Sequence, residues 1–368
     1  MKRIGILTGG GDAPGLNAVI RAVARVAEAA GVELYGFKNG FSGLIKGEFI
    51  VLTKPYISGL LPKGGTILGS NNRDNPFNFP VKEGEKLIYK DMSDTALQNL
   101  KLFGIECLVV IGGDGTLAIA KELSQKGARI VGVPKTIDND LNGTEQTFGF
   151  DTAVSVAVDA LDRLHTTAES HHRVMVLEVM GRYAGWIALY SGVAGGADVI
   201  LIPEIPWSIE KVAEKIYKRR EEDKYFSIVV VAEGVKTHDG SQVLKKVIDG
   251  SSDLIRLGGI AYVIADMVEK VTGIESRATV LGHLQRGGSP SHFDRILATR
   301  YGVEAAKLAI SGKSGCMVSL QNGKITFIDF EDIPKLIRAY SKKRKYDNII
   351  KEYLCTLGEI LTIVMLSF

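Results

Sequence analysis

Short runs of apolar residues recur along the chain, and a segment rich in glycine or acidic residues follows most of them. Continuous apolar runs, rather than alternating ones, are typical of strands that are buried on both faces of a sheet. Such runs predict strands at residues 4–7, 107–111, 129–133, 173–179, 198–202, 227–232 and 277–281. Strands of this kind indicate a parallel sheet with helices on both faces.

Helical patterns lie between these runs. In residues 14–31, apolar side chains recur on one helix face, with Pro14 placed for the first turn and Gly31 placed for a C-terminal cap. Similar patterns predict helices within residues 93–103, 151–164, 208–223 and 251–271. Alternating strands and helices are typical of βαβ units, and 368 residues are enough for two domains. We therefore predict an α/β protein with two doubly wound α/β lobes, mostly parallel sheets and an active site in the cleft between the lobes.

The composition disfavours several classes of protein. Lysine and arginine total 45 residues against 42 aspartates and glutamates, which leaves no large positive charge for a nucleic acid or an anionic membrane. The N-terminal apolar run is too short for a signal peptide, and no apolar run approaches the ~20 residues of a membrane-spanning helix. The spacing of Cys107, Cys316 and Cys355 fits neither a zinc site nor a disulfide framework. We expect a soluble, cytoplasmic protein with reduced core cysteines and no nucleic-acid or membrane partner.

Two glycine-rich loops follow predicted strands, and ligands of doubly wound sheets bind beyond the carboxyl ends of the strands. TGGGDAPG (residues 8–15) leads into a helix, so its free N–H groups are available to an anion. GGDGT (residues 112–116) adds a carboxylate, Asp114, that is suited to hold Mg²⁺ against phosphate oxygens. One such loop is equally compatible with an ordinary tight turn, whereas two favour phosphate binding. Neither loop matches the GxxxxGK[ST] or GxGxxG pattern.

The loop PKTIDND, residues 134–140, carries the most specific signal. Phosphoryl transfer to an alcohol needs a group that accepts the hydroxyl proton, and Asp138 is placed to be that base. Thr136 is placed to hydrogen-bond the transferred group, and Asp140 to share in metal or substrate binding. Asp and Asn also form turns through side-chain-to-backbone hydrogen bonds, which is the alternative interpretation of this loop.

Arginines lie in or beside several of the predicted loops: Arg73, Arg173, Arg182, Arg277 and Arg286. A single arginine of this kind is more often part of a weak surface ion pair, but five suggest an anionic substrate in addition to the donor. His283 lies close to the last of them and is placed for a sugar phosphate, although lone histidines are commonly structural. Glu233 either accepts hydrogen bonds from sugar hydroxyls or only ends a strand.

The chain resembles the 6-phosphofructokinase family over roughly residues 1–310. The resemblance rests on GGGDAPGLNAVIR, GGTILGS, VVIGGDGT, PKTIDND, GFDTA, EVMGRYAGW, AEG and RATVLGHLQRGGSP. It implies Mg²⁺-dependent transfer of a phosphoryl group to the 1-hydroxyl of fructose 6-phosphate, giving fructose 1,6-bisphosphate, the committed step of glycolysis. It also implies a donor-binding lobe of residues 1–149 plus about 287–336, and a sugar-phosphate-binding lobe of residues 150–286 plus about 337–368.

The same resemblance assigns roles to individual residues. Asp138 looks like the base, Thr136 like its neighbour that positions the phosphoryl group, and Arg182 like the arginine that stabilises the transition state. The residues that match the donor site are Gly10, Arg73, Gly112, Gly113, Asp114, Gly115 and Thr116, with Asp114 as the magnesium ligand. Those that match the fructose 6-phosphate site are Thr136, Asp138, Asp140, Arg173, Met180, Gly181, Arg182, Glu233, Arg277, His283 and Arg286. Arg73 follows GGTILGS one residue later than is usual in the family.

Two positions bear on the identity of the donor. Lys135 resembles members that use pyrophosphate, whereas Gly115 resembles members that use ATP, because a carboxylate at that position would repel the α-phosphate. The chain looks like the subgroup whose members differ in donor use. We expect ATP as the donor, with pyrophosphate as the alternative.

Assembly and regulation are implied by further matches. Arg173 and Arg277 resemble the pair that reaches into the neighbouring subunit in relatives, which implies a homodimer or homotetramer with a shared active site. Arg21 and Arg25 resemble effector-site arginines, but His165 and Asp198 depart from that site, so regulation by ADP or phosphoenolpyruvate is in doubt.

Three rival classes fit less well. Diacylglycerol- or NAD-kinase-like enzymes also use GGDGT but are not expected to have TIDND or GHLQRGG. A non-catalytic binding subunit is expected to lack the base, and Asp138 is present. A nicotinamide dehydrogenase would need the dinucleotide fingerprint.

Overall fold

The computed structural model describes residues 1–84, 86–237, 244–247, 255–333 and 362–363. In these ranges the strands are β1 (Arg3–Thr8), β2 (Glu33–Phe37), β3 (Phe49–Val51), β4 (Phe79–Glu83), β5 (Lys86–Lys90), β6 (Cys107–Gly112), β7 (Ile130–Pro134), β8 (Val174–Val179), β9 (Val199–Leu201), β10 (Ser227–Ala232), β11 (Leu244–Val247), β12 (Ile255–Leu257), β13 (Ser276–Val280), β14 (Cys316–Gln321), β15 (Lys324–Asp329) and β16 (Thr362–Ile363). The α-helices are α1 (Leu16–Ala29), α2 (Phe41–Lys46), α3 (Lys54–Ile57), α4 (Ser93–Leu102), α5 (Asp114–Gln125), α6 (Phe150–His171), α7 (Trp186–Ala194), α8 (Ile209–Glu221), α9 (Ile260–Thr272) and α10 (His292–Ser311).

Contacts within the chain define two compact units. Of the described residues, 1–151 and 286–333 belong to the first unit. Residues 152–237, 244–247, 255–285 and 362–363 belong to the second. Each unit contains its own mostly or wholly parallel sheet.

The first unit is built on a seven-stranded sheet with the order β15-β14-β7-β6-β1-β2-β3. The five central strands pair in parallel, and β15 and β3 add antiparallel edges. Successive residues of a strand face opposite sides, and β6 follows this rule: Val109 packs into the core with α1 and α10, whereas Leu108 and Val110 pack with α4 and α5. Burial of each such side chain contributes about 1.5–3 kcal/mol, which explains why these strands read as continuous apolar runs.

The second unit contains a five-stranded sheet with the order β13-β8-β10-β9-β16, in which every pairing is parallel. Helix α9 packs on β8 and β13, and α7 packs on β9 and β10. A separate antiparallel pair joins β11 to β12. Helices pack against the parallel sheets of both units, so the predicted α/β fold class is confirmed.

Each of the apolar runs singled out in the sequence forms a strand, but two helix predictions need correction. The helix predicted within residues 251–271 begins only at Ile260, because Ile255–Leu257 is a strand and Gly258 and Gly259 follow it with φ values of 133° and 100°. Helix α1 begins at Leu16, so Pro14 lies before its first turn.

The reason for the second correction is a close packing contact at Gly15. This residue adopts φ 108°, and a Cβ atom there would lie 2.7 Å from the ring of Phe148. At the other end of α1, Gly31 has φ 67° and follows the last turn, as predicted.

Cys107 and Cys316 are buried free thiols, and burial raises the pKa of Cys316 to about 11. Cys355 lies outside the described residues. In the described parts of the chain, no helix is both long and apolar enough to cross a membrane.

Candidate active site

Three loops of the first unit meet where β1, β6 and β7 end. The backbone hydrogen bonds between these strands continue into the loops. Gly9 N–H donates to the carbonyl of Ile111 at 2.9 Å, and Lys135 N–H donates to the carbonyl of Gly112 at 2.9 Å. The glycine loop after β1, the GGDGT segment and the PKTIDND loop therefore lie side by side. This arrangement follows from parallel pairing, which brings carboxyl ends to one edge.

Thr116 separates the first two loops. It lies in the first turn of α5 and is buried. A Cβ atom at Gly9 would come within 2.6 Å of the Thr116 methyl carbon, and one at Gly112 within 2.3 Å of the same side chain. Glycine at both positions thus lets the loops approach the amino end of α5, where free N–H groups and the helix dipole favour an anion.

The Lys135 side chain is buried beside the glycine loop. Only 4% of the residue is exposed, and Nζ donates a hydrogen bond to the carbonyl of Gly11. The pKa of Lys135 is lowered to about 8, mainly by burial and also by the Arg286 cation, whereas the carboxylates of Asp138, Asp114 and Asp12 oppose the shift. The site therefore combines two cations with three carboxylates.

Arg286 occupies space that the glycine loop leaves free. A Cβ atom at Gly11 would lie 1.8 Å from Nη1 of Arg286. Its buried Nε has no hydrogen-bond partner among the described residues. A buried, positively charged donor next to a loop of N–H groups is an arrangement that suits a phosphoryl oxygen.

The PKTIDND loop holds Asp138 and Thr136 in fixed positions. Asp138 N–H donates to Oγ1 of Thr136 at 3.1 Å, and both side chains are buried. Asn139 has φ 50°, and its Oδ1 accepts the backbone N–H of Thr147 at 3.0 Å. Thr147 Oγ1 in turn donates to the carbonyl of Thr136 at 2.7 Å. The turn interpretation thus describes Asn139, while Asp138 is a buried carboxylate next to the two glycine-rich loops.

The segment that carries Arg73 is tethered to the same glycine loop. Gly10 N–H donates to the carbonyl of Asn71 at 2.9 Å, and Ser70 Oγ donates to the carbonyl of Gly10. The Arg73 side chain is exposed. Arg73 is joined to this segment by its backbone N–H, which donates to Oδ1 of Asn71 at 2.9 Å.

A second group of predicted residues meets at the carboxyl ends of β8 and β10 in the second unit. Gly181 and Arg182 adopt positive φ values of 141° and 53°. The backbone N–H of Arg182 donates to Oε1 of Glu233 at 3.1 Å. A Cβ atom at Gly234 would lie 1.8 Å from the carbonyl oxygen of Arg182, so glycine is required for this approach.

Gln285 is a residue of this group that the sequence analysis missed. It is fully buried in the short 3-10 helix Gly282–Arg286, and its Oε1 accepts the N–H of Met180 at 3.3 Å. Its Nε2 has no hydrogen-bond partner among the described residues. The only signal in the sequence was its place within GHLQRGG, next to His283, whose side chain is exposed.

Comparison with known proteins identifies the family. The family profile described as "Phosphofructokinase" matches residues 3–309. The chain belongs to the phosphofructokinase family. The predicted resemblance is thereby confirmed.

Relatives named for either phosphoryl donor are similar to this phosphofructokinase-family chain. The ATP-dependent 6-phosphofructokinase 2 of Clostridium perfringens is 55% identical over 336 residues, which cover 90% of this chain and 92% of the relative. The ATP-dependent 6-phosphofructokinase of Chloroflexus aurantiacus is 53% identical and covers 89% of each chain. The pyrophosphate–fructose 6-phosphate 1-phosphotransferase of Amycolatopsis methanolica is 47% identical and covers 93% of this chain and 97% of the relative.

A solved phosphofructokinase has the same fold. The T-state phosphofructokinase of Pichia pastoris aligns with a TM-score of 0.78 and 31% identity over 96% of this chain. The alignment covers 36% of the Pichia chain, so this chain spans about a third of that larger protein.

Arg173 and Arg277 of this phosphofructokinase-family chain lie far from the predicted site residues at the carboxyl ends of β8 and β10. Arg173 immediately precedes β8 and Arg277 is the second residue of β13, so both lie at the amino ends of parallel strands. The six residues of β8 place them roughly 20 Å from the segment that contains Arg182. Glu275 links the pair, because Oε2 accepts from Arg173 Nε at 2.6 Å and Oε1 accepts from Arg277 Nη2.

Asp114 is placed to coordinate Mg²⁺ together with the oxygens of a bound phosphate. It opens α5 at the end of β6 and contributes to the field around Lys135. Among the described residues, no group of three or more His, Cys, Asp or Glu side chains forms a complete metal site. Mg²⁺ commonly takes one or two carboxylates plus substrate phosphates and water, so one carboxylate beside a glycine-rich loop would suffice once a phosphate is bound there.

Proposed function

We propose that this chain transfers a phosphoryl group from ATP to the 1-hydroxyl of fructose 6-phosphate and produces fructose 1,6-bisphosphate, the committed step of glycolysis, in the cytoplasm. One observation carries the proposal: a buried carboxylate, Asp138, lies beside two phosphate-binding loops and a buried lysine. The relatives named ATP-dependent 6-phosphofructokinase support the same substrates.

Residues of the first unit bind the phosphoryl donor and act on the transferred group. The N–H groups at the start of α5 bind phosphate oxygens, the backbone at Gly10 lines the donor site, and Arg73 adds a cation. Asp114 would hold Mg²⁺, which neutralises charge on the transferred group when it is bound. Thr136 donates a hydrogen bond to the phosphoryl group, and Asp138 accepts the proton of the sugar hydroxyl as the new bond to phosphorus forms.

The residues of the second unit bind the sugar phosphate and the developing charge. Glu233 accepts hydrogen bonds from sugar hydroxyls while it holds the backbone of Arg182. Arg182 stabilises the negative charge of the transition state. Met180, Gly181 and His283 complete the contacts, together with Asp140 and Arg286 of the first unit.

Arg173 and Arg277 serve a second copy of the chain. They lie at the amino ends of the strands, whereas Arg182 lies beyond a carboxyl end. Glu275 forms hydrogen bonds with both guanidinium groups and so holds them together. A pair of arginines held in this way can bind the two negative charges of a phosphate group. We therefore propose a homodimer or homotetramer in which this pair completes the neighbouring sugar-phosphate site.

Pyrophosphate is the second candidate donor, and Lys135 is the observation that favours it. Its Nζ lies against the glycine loop, where it adds a charge that a small donor would need. The pyrophosphate-dependent relatives support this alternative. Gly115 favours ATP, because it leaves room at the start of α5.

The decisive assay uses purified protein, Mg²⁺ and fructose 6-phosphate with either ATP or pyrophosphate. We expect fructose 1,6-bisphosphate with ATP and little or none with pyrophosphate. Turnover with pyrophosphate alone would overturn the donor assignment. Absence of turnover with both donors would overturn the proposed function, provided that circular dichroism and size-exclusion chromatography find a folded protein.

A further inference from the structure

Asp74 is a buried carboxylate that directly follows Arg73. Only 4% of it is exposed, and Oδ2 accepts the backbone N–H of Ser42 at 3.0 Å. The backbone N–H of Phe41 is a further donor to this carboxylate. Both amides belong to the first turn of α2, whose own N-cap residue, Gly40, has no side chain that could accept them. Asp74 therefore caps a helix that lies about 30 residues earlier in the chain.

Glycine at position 40 leaves the space that this carboxylate occupies. Gly40 has φ 68°, and a Cβ atom there would lie 2.4 Å from Oδ2 of Asp74. A side chain at position 40 would therefore displace the carboxylate from the helix end. Because Gly40 has no side chain, the helix is capped by Asp74, which is adjacent to Arg73, the predicted donor-binding arginine.

Arg73 consequently lies between two tethers. On one side, Asn71 accepts the N–H of Gly10 through its carbonyl at 2.9 Å, and its Oδ1 accepts the N–H of Arg73 at 2.9 Å. On the other side, the Asp74 carboxylate attaches the chain to α2. A charged acceptor forms stronger hydrogen bonds with backbone amides than a neutral one, so this tether is a firm one.

Burying an ionised carboxylate as a cap lowers the free energy of unfolding, a loss that a neutral cap would avoid. Burial raises the pKa of Asp74 to about 6, although the amides of Ser42 and Phe41 oppose the shift. Asparagine, serine or threonine would cap the helix without burying a charge. A costly carboxylate at this position indicates a role in addition to helix stability.

We propose that Asp74 is a positioning residue, which fixes the backbone of Arg73 against the glycine loop so that its exposed guanidinium group faces the phosphoryl donor. This inference rests on the proposed function, in which Arg73 contacts the donor. Asp74 itself does not touch the donor and acts through Arg73.

The test is a double-mutant cycle with Arg73→Ala, Asp74→Ala and the double variant, in which KM and kcat are measured for donor and sugar phosphate. Asp74→Ala should raise the donor KM about tenfold, the loss expected for one charge-assisted contact, with the fructose 6-phosphate KM within about twofold. Asp74→Asn keeps an oxygen acceptor and should recover part of the donor affinity. In the Arg73→Ala background, Asp74→Ala should have no further effect on the donor KM, because the group it positions is gone.

Asp91→Ala is the matched control. Oδ1 of Asp91 accepts the N–H of Ser93 at 2.8 Å at the start of α4, so this variant also removes a carboxylate cap from the first unit. It should lower the melting temperature without changing the donor KM.

The outcomes separate this inference from the proposed function. An unchanged donor KM in Asp74→Ala, an equal rise in both KM values, or additive effects of the two substitutions would each overturn it. If Asp74→Ala does not fold, an Asp74→Asn enzyme with wild-type donor KM at pH 7 would also overturn it. A wild-type enzyme that transfers no phosphoryl group contradicts the proposed function instead, and donor binding measured by calorimetry then decides whether Asp74 still acts through Arg73.

Discussion

The backbone N–H of Arg182 donates to Oε1 of Glu233 at 3.1 Å, across the carboxyl ends of two neighbouring parallel strands. Arg182 has φ 53°, a conformation that non-glycine residues adopt infrequently, and this hydrogen bond supports it. One carboxylate therefore fixes the arginine that is proposed to stabilise the transition state and is itself proposed to bind the sugar.

Glu233→Ala should lower kcat and raise the KM for fructose 6-phosphate, because both roles are lost. Glu233→Gln keeps an oxygen that can accept the Arg182 N–H, so its kcat should fall less. Steady-state kinetics of both variants test this, with Glu204→Ala as a control for loss of a carboxylate that accepts a loop amide, that of Gly185. Equal kcat values for the alanine and glutamine variants would contradict the backbone role.

Asp138→Ser should reduce kcat by several orders of magnitude, because a general base contributes about 10²–10⁴-fold and a serine hydroxyl cannot accept the proton in place of the carboxylate. Sugar-phosphate binding should remain within a few-fold, since the Thr147 hydrogen bonds that hold the loop do not involve Asp138. Stopped assays for turnover and calorimetry for binding provide the two measurements. Near-normal turnover in the purified variant would remove Asp138 from the role of base.

Donor binding should be accompanied by proton uptake above about pH 8. The pKa of Lys135 is about 8, so the lysine is partly neutral in the free protein at this pH. A bound phosphate raises that pKa, the lysine takes up a proton, and donor affinity falls as the pH rises through about 8 to 10. Calorimetry with ATP in two buffers of different ionisation enthalpy measures the uptake.

Lys135→Met should abolish this proton uptake. Lys126→Met is the matched control, because Lys126 Nζ forms a surface ion pair with Asp94 at 2.8 Å. Uptake that persists in Lys135→Met would assign the proton to another group.

Gly11→Ala should weaken sugar-phosphate binding without unfolding the protein. The new Cβ atom would lie 1.8 Å from Nη1 of Arg286, so the guanidinium group must move, while the backbone at position 11 does not require a positive φ. We expect the KM for fructose 6-phosphate to rise about tenfold, the cost of one charge-assisted contact. An additive effect of Gly11→Ala in an Arg286→Ala background would show that the substitution acts elsewhere.

The stability of the wild type relative to Asp74→Asn should fall as the pH rises from about 4 to about 6. Burial raises the folded-state pKa of Asp74 to about 6 from its ordinary value of 3.8, so the folded state binds the proton more tightly than the unfolded state. Deprotonation across this window therefore disfavours folding, by up to about 3 kcal/mol. Urea unfolding of both proteins at several pH values tests this; a difference that is constant with pH would exclude a buried, titrating Asp74.

The sequence predicted those parts of the fold whose signal is local. Val109 and its neighbours on β6 are apolar on both faces, so the run reads as a buried strand wherever it packs. The hairpin of β4 and β5 was missed, because β5 has only three apolar residues between two lysines, and two of them, Leu87 and Tyr89, are exposed. The start of α9 was misplaced because helical periodicity does not record that Gly258 and Gly259 turn the chain.

The candidate site was predictable where one loop carries the chemistry. Asp138, Asp114 and Gly10 each follow a strand, and parallel strands bring such residues together. Gln285 and Asp74 were not predictable, because each depends on a backbone amide far away in the sequence, at Met180 and at Ser42. The roles assigned to the individual site residues remain predictions.

Thr116 limits which sequences this fold can accept. Its side chain fills the space in which a Cβ atom at Gly9 or at Gly112 would have to lie. A mutation that enlarges either glycine is therefore tolerated only after position 116 has become smaller, and a smaller residue at 116 leaves a gap at the base of both loops. Gly9 lies more than a hundred residues before the other two, yet all three positions are consequently expected to evolve as a single unit.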